Sequence, residues 1–114
     1  MIKVDIKVNG NGCIKELKAE GHGGVGERGS DILCSAVSVL LRSFAKVVYT
    51  SEAIKTEGKA SERGSIYLLI RNVPGEKITW LQGMSGLVIT GLRDLEREFP
   101  GNIRVNILRD IEIV

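Results

Sequence analysis

The chain is short of the residues on which most metal and redox chemistry is built. It has one histidine, His22, and two cysteines, Cys13 and Cys34, in 114 residues. That set matches no zinc-ligand spacing, so neither a metal nor another cofactor is expected. Two cysteines are also too few for a disulfide scaffold, and both are expected as free thiols. A strong excess of either charge sign is missing too. Sixteen basic and fourteen acidic residues leave a net charge of +2, which argues against direct nucleic-acid binding. The N-terminus, MIKVDIKVNG, alternates apolar and charged residues and lacks the apolar run of a signal peptide or membrane span. A cytoplasmic protein with no membrane partner is the expectation. Internal repeats, low-complexity tracts and linkers are lacking as well.

What remains is an ordinary soluble composition, 43% apolar and 26% charged, of a length that supports one domain over residues 1–114. Ile2, Val4, Ile6 and Val8 alternate with Lys3, Asp5 and Lys7, the pattern of a half-buried strand. Asn9-Gly10-Asn11-Gly12 follows, a hairpin turn signal because both residue types tolerate positive φ. The return strand runs from about Cys13 to Glu20, with Cys13, Leu17 and Ala19 on the core side. Ser30 and Asp31 are good N-caps for a helix ending near Thr50, with Leu33, Ala36, Val37, Leu40, Phe44, Val47 and Val48 on one face. Residues 51–64 are polar and read as a surface loop. Ser65–Val73 is an apolar strand. A second helix spans about Lys77 to Glu98 with the stripe Ile78, Leu81, Ser85, Val88, Leu92 and Leu95. Gly83, Gly86 and Gly91 each weaken it by up to ~1 kcal/mol relative to alanine, and small residues there would let it pack close to the sheet or the first helix. After Pro100-Gly101 the last strand, 102–114, carries Ile103, Val105, Ile107, Ile111 and Ile113 on one parity. The expected fold is α+β: a four-stranded, mostly antiparallel sheet with two helices packed on one face. The isoleucine-rich last strand offers an edge or face for a homodimer.

The segment Gly21–Leu40, GHGGVGERGSDILCSAVSVL, concentrates the reactive groups. Five glycines fall within residues 21–29, which makes the segment costly to order and suited to a lid or binding loop. Cys34 is placed in the first turn of the helix, where the dipole favours a thiolate. His22 stands at the other end of the loop, at the end of a strand. A cysteine beside Leu33 and Ala36 is by default a small core residue, and a lone histidine is by default a solvated one. The pairing of the two across a glycine loop is what raises a nucleophile-and-base reading above those defaults. N–H groups at the helix start are available to hold a developing oxyanion. Asp31 either orients His22 or caps the helix. Ser38, one turn after Cys34, is a supporting residue whose hydroxyl can bond back to the carbonyl of Cys34. Cys13, on the core parity, reads as structural.

These residues resemble the ribosomal-processing cysteine protease family, small bacterial proteins with a GHA-type histidine motif and a D-I-[VL]-C-[AS]-A-V-S helix start. Here the motifs read Gly21-His22-Gly23 and Asp31-Ile32-Leu33-Cys34-Ser35-Ala36-Val37-Ser38, with Gly23 in place of alanine. The resemblance implies a cysteine endopeptidase with His22 and Cys34 as catalytic residues, and Gly21, Gly23, Gly24, Asp31 and Ser38 as supporting or substrate-loop residues. It further implies a specific substrate. Such an enzyme removes a short N-terminal extension from a large-subunit ribosomal protein near the peptidyl-transferase centre, by cleavage after a phenylalanine. The expected partner is that N-terminal peptide.

Two other readings compete. In one, the chain is a non-catalytic ribosome-associated binding module, Cys34 is core and the glycine loop is a contact surface. In the other, Gly21-His22-Gly23-Gly24-Val25-Gly26 is a G-x-G-x-x-G dinucleotide fingerprint. The preceding strand is half polar and hairpin-linked, which is the wrong context for that motif.

Overall fold

The structure, a computed structural model, describes residues 1–21, 28–60 and 65–110, with the backbone alone at 28–31 and 60. The elements in chain order are β1 (Ile2–Val8), β2 (Ile14–Glu20), α1 (Arg28–Thr50), β3 (Thr56–Ala60), β4 (Ser65–Ile70), a 3-10 turn (Gly75–Lys77), α2 (Ile78–Glu98) and β5 (Ile103–Arg109). The strands form one mixed sheet in the order β3-β4-β2-β1-β5. The pairs β1–β2, β2–β4 and β3–β4 are antiparallel, and β1–β5 is parallel. The sheet therefore has five strands where the sequence suggests four. The extra one, β3, lies within the polar stretch expected as a loop. TEGKA carries no apolar alternation to announce a strand. It is an edge strand held by β4 alone, so it needs only one partner and no buried face.

Two crossovers set the layers. The connection β2–α1–β3 passes over β4, and β4–α2–β5 passes over β2 and β1. Both helices cover the same face of the sheet and share one core with it, including Val4, Ile6, Leu17, Leu33, Leu41, Leu68, Leu81 and Leu92. The opposite face is open and carries matched charges across the strands: Lys3 opposite Glu20, Asp5 opposite Lys18, Lys7 opposite Glu16. Such cross-strand pairs of opposite sign support the register from the solvent side.

The β1–β2 hairpin closes as a tight turn, with the Gly12 N–H donating to the Asn9 carbonyl and the Asn9 N–H to the Cys13 carbonyl. Only Gly12 in this turn has positive φ, +82°. The asparagines contribute otherwise: Asn9 Oδ1 accepts from the backbone N–H groups of Asn11, at 2.9 Å, and of Cys13, at 3.1 Å. A bulge follows. Lys7 pairs with Glu16 but Val8 pairs with Ile14, so Lys15 is the additional residue on β2. It shifts the strand's parity, and Ile14 joins Leu17 and Ala19 in the core while Lys15 faces out to an ion pair with Asp110 at 3.2 Å.

In α1 the buried stripe is Leu33, Val37, Leu41, Phe44 and Val48. The sequence pattern included Val47, which is 45% exposed, and omitted Leu41, which is 1% exposed. Nine of the thirteen residues from Ala36 to Val48 are apolar, so more than one stripe satisfies the helical period and the partner surface decides. Residues Ile32–Thr50 are long and apolar enough by composition to cross a membrane, but here their apolar stripe is the inner layer of the core. In α2 the expected stripe holds, with Leu81, Ser85, Val88 and Leu92 buried. Gly91 is the glycine that lets the helices approach: a β-carbon there would stand 2.9 Å from Leu40 Cδ2, whereas Gly83 and Gly86 face open space. At β5, Ile103 and Val105 are buried as the parity predicts and Ile107 is half-buried; Ile111 and Ile113 lie outside the described residues. Glu96 of α2 accepts the Val105 N–H at 2.7 Å, and Arg93 donates to the Val105 carbonyl at 3.0 Å and to Glu96 at 2.7 Å.

Candidate active site

The end of β2 and the start of α1 define one end of the sheet. Gly21 closes β2 with φ of +106°, and a β-carbon at that position would collide with the Met1 carbonyl. Both facts require glycine: the backbone conformation disfavours side chains, and the space is taken by Met1, the residue just before β1. The motif's first glycine thus sets how the chain leaves the sheet. His22, Gly23 and Gly24 lie outside the described residues, and so does the Asp31 side chain.

Helix α1 begins at Arg28, one turn earlier than the caps Ser30 and Asp31 suggest. Cap preferences report local hydrogen-bonding options, and a long helix anchored by its packed face extends past them. Cys34 is therefore in the second turn rather than the first. The N–H groups left unbonded by the helix belong to its first turn, and the end of the dipole is correspondingly further from the thiol.

Cys34 is half-buried and packs against the core from its margin. The buried stripe fixes the direction of its flank. Leu40 lies on one side of that stripe and meets Gly91 of α2; Cys34, Ser38 and Arg42, spaced by four, form a ridge on the other side, away from α2. Ser38 is half-buried, and its Oγ accepts from Arg42 Nε at 3.0 Å. Arg42 has no place in the sequence reading. Its spacing of eight from Cys34 was the available signal, since the same period that pairs Cys34 with Ser38 continues to it.

Cys13 stands at the opposite end of the sheet. It is 2% exposed, and its thiol donates to the Ile78 carbonyl at 3.5 Å. Burial pushes this thiol above its ordinary range. It is the structural cysteine that the sequence suggests, and neither cysteine is in a disulfide. A recess of about 260 Å³ lies beside it, lined by residues including Asn9, Lys15, Arg71 and Ile78, remote from Cys34. Among the described residues no group of histidine, cysteine and carboxylate side chains is arranged to hold a metal. The dinucleotide reading loses its context as well, because β2 is antiparallel to both its neighbours.

Comparison with known proteins identifies the family and the fold. Residues 1–104 match the family described as cysteine protease Prp. The ribosomal processing cysteine protease Prp of Staphylococcus aureus is 30% identical over 109 residues, covering 93% of this chain and 98% of the relative. The crystal structure of the S. aureus protease with a covalently linked product peptide superposes with a TM-score of 0.75 at 25% identity, covering 94% of this chain and 99% of that one. A structure of the same protease with a substrate peptide gives 0.73 at 27% identity, with the same coverage. A Streptococcus mutans protein shares the fold, with a TM-score of 0.76 at 20% identity over 96% of each chain. The match along nearly the whole chain, with a half-buried cysteine in the second turn of α1, places this protein in the Prp family of cysteine proteases.

Proposed function

We propose that this cysteine peptidase removes the short N-terminal extension of a large-subunit ribosomal protein, cutting after a phenylalanine, with Cys34 as nucleophile and His22 as its base. One observation carries the assignment of the nucleophile. The two thiols occupy opposite environments: Cys13 is sealed in the core with its proton engaged by a carbonyl, and Cys34 lies at the core margin on the flank of α1. The motif around Cys34 and the family membership support the same choice. The S. aureus relatives are described with a substrate peptide and with a covalently linked product peptide, in keeping with an acyl-enzyme route.

In this reading His22 takes the proton from Cys34 Sγ, and the thiolate adds to the scissile carbonyl. The tetrahedral intermediate collapses to a thioester as His22 returns the proton to the leaving amine. Water, activated by the same imidazole, then releases the new carboxyl end. Gly21, Gly23 and Gly24 serve as substrate-loop residues, and Ser38 supports the nucleophile from one turn behind. The partner is the extended N-terminal peptide, in the cytoplasm where ribosomes are assembled, and the protein works as a homodimer.

The test is cleavage of the host's ribosomal protein with its native N-terminus, read by intact mass. The parent removes the extension and leaves phenylalanine at the new end of the released peptide. Cys34→Ala and His22→Ala fold and leave the substrate whole. An uncut substrate with the parent, its extension verified, returns the chain to the binding-module reading.

A further inference from the structure

The hydrogen bond from Arg42 Nε to Ser38 Oγ, 3.0 Å long, is not accounted for by helix formation or by the core. Both residues are half-buried, as is Cys34, and the three share one ridge of α1. Side chains on a helix lean toward its N-terminus. Arg42 therefore lies over Ser38, and Ser38 over Cys34.

We propose that Arg42 is a positioning residue for the nucleophile and acts through the Ser38 hydroxyl; the proposal rests on the reading of Cys34 as nucleophile. A serine hydroxyl has one hydrogen to give and two lone pairs to offer. The guanidinium is a permanent cation, so its N–H engages a Ser38 lone pair at any working pH. The hydroxyl hydrogen is thereby turned away from Arg42, toward the preceding turn that carries Cys34. A bond accepted from a cation also polarises the hydroxyl and makes it the better donor. Ser38 then directs its O–H toward the turn that carries the thiol, with one of its two lone pairs already held by the cation, which makes it a poor proton acceptor and leaves the base role to His22. Without Arg42 the rotor is free to bond back to the helix carbonyl instead.

The experiment compares the parent with Arg42→Met, Arg42→Lys, Ser38→Ala and the double variant Ser38→Ala/Arg42→Met. Each is read by steady-state cleavage of a peptide spanning the processing site and by the rate of iodoacetamide alkylation at Cys34 without substrate. Thermal melting confirms folding. Arg42→Met should lower kcat about tenfold, the scale of one charge-assisted hydrogen bond, with KM within about twofold, and should slow alkylation in parallel. Arg42→Lys, which keeps the cation, should recover part of the loss. The double variant should be no slower than Ser38→Ala alone, because in this proposal the effect of the arginine on the thiol runs through that hydroxyl. An unchanged kcat and alkylation rate in Arg42→Met overturns the proposal, and so do losses that multiply in the double variant. Failure of the underlying reading looks different: Cys34 alkylates no faster than Cys13 in the parent, or Cys34→Ala still cleaves.

Discussion

The backbone N–H of Ile14 donates to the hydroxyl of Ser85 on α2, 2.9 Å away, and Ser85 is fully buried. The bond answers the bulge in β2. The additional residue, Lys15, turns the Ile14 amide out of the ladder, and a buried amide without a partner is costly. The serine in an otherwise apolar stripe is thus the receptor for one displaced donor.

Removing that receptor should be expensive for so small a change. Ser85→Ala is expected to lose about 1–3 kcal/mol, the cost of an unsatisfied buried donor, seen as a lower urea midpoint at constant slope. Stability equal to the parent would mean that the amide finds another partner.

The three glycines of α2 should separate by their surroundings. Gly83→Ala and Gly86→Ala place a methyl in open space and should each add about 0.5–1 kcal/mol by removing backbone freedom from the unfolded chain. Gly91→Ala meets the end of the Leu40 side chain, which must turn aside, and should gain less than either of the other two. Chemical denaturation of the three single variants decides it, and a gain at Gly91 as large as those at Gly83 and Gly86 would contradict the packing described.

Glu96 should make the protein acid-sensitive. Burial raises its carboxyl, but the Val105 N–H and the Arg93 guanidinium outweigh that and hold it below its ordinary value of 4.5. A carboxyl lowered in the folded state contributes stability above its unfolded value, and this is lost as pH falls from there through the folded value. Urea midpoints measured from neutral pH down through that window should fall for the parent and fall less steeply for Glu96→Gln. Parallel profiles would show that the carboxylate is not the responsible group.

Much of the fold is legible in the chain. The alternation in β1, the Asn-Gly turn and the α2 stripe each follow from a period or from turn chemistry, whereas the motif around Cys34 is legible through its resemblance to a family. What escapes has physical causes. β3 lacks an apolar face because an edge strand can do without one. The bulge at Lys15 is invisible because a single insertion in a short strand leaves no mark in the residue types. The start of α1 and the choice of Leu41 over Val47 depend on the partner surface, which no local preference encodes. Arg42 escapes because a lone cation on a helix reads as solvated until the acceptor beneath it is known.

The Arg93–Glu96 pair on Val105 bears on how copies of this protein can meet. β5 is an edge strand of the sheet, the kind of template that recruits a strand from another chain. With the amide and carbonyl of Val105 occupied from within, a newcomer must first displace an ion pair. The far rim defends itself by composition, since Thr56-Glu57-Gly58-Lys59-Ala60 offers two charges and a glycine. Strand addition is thus discouraged at both described edges, by a latch at one and by sequence at the other.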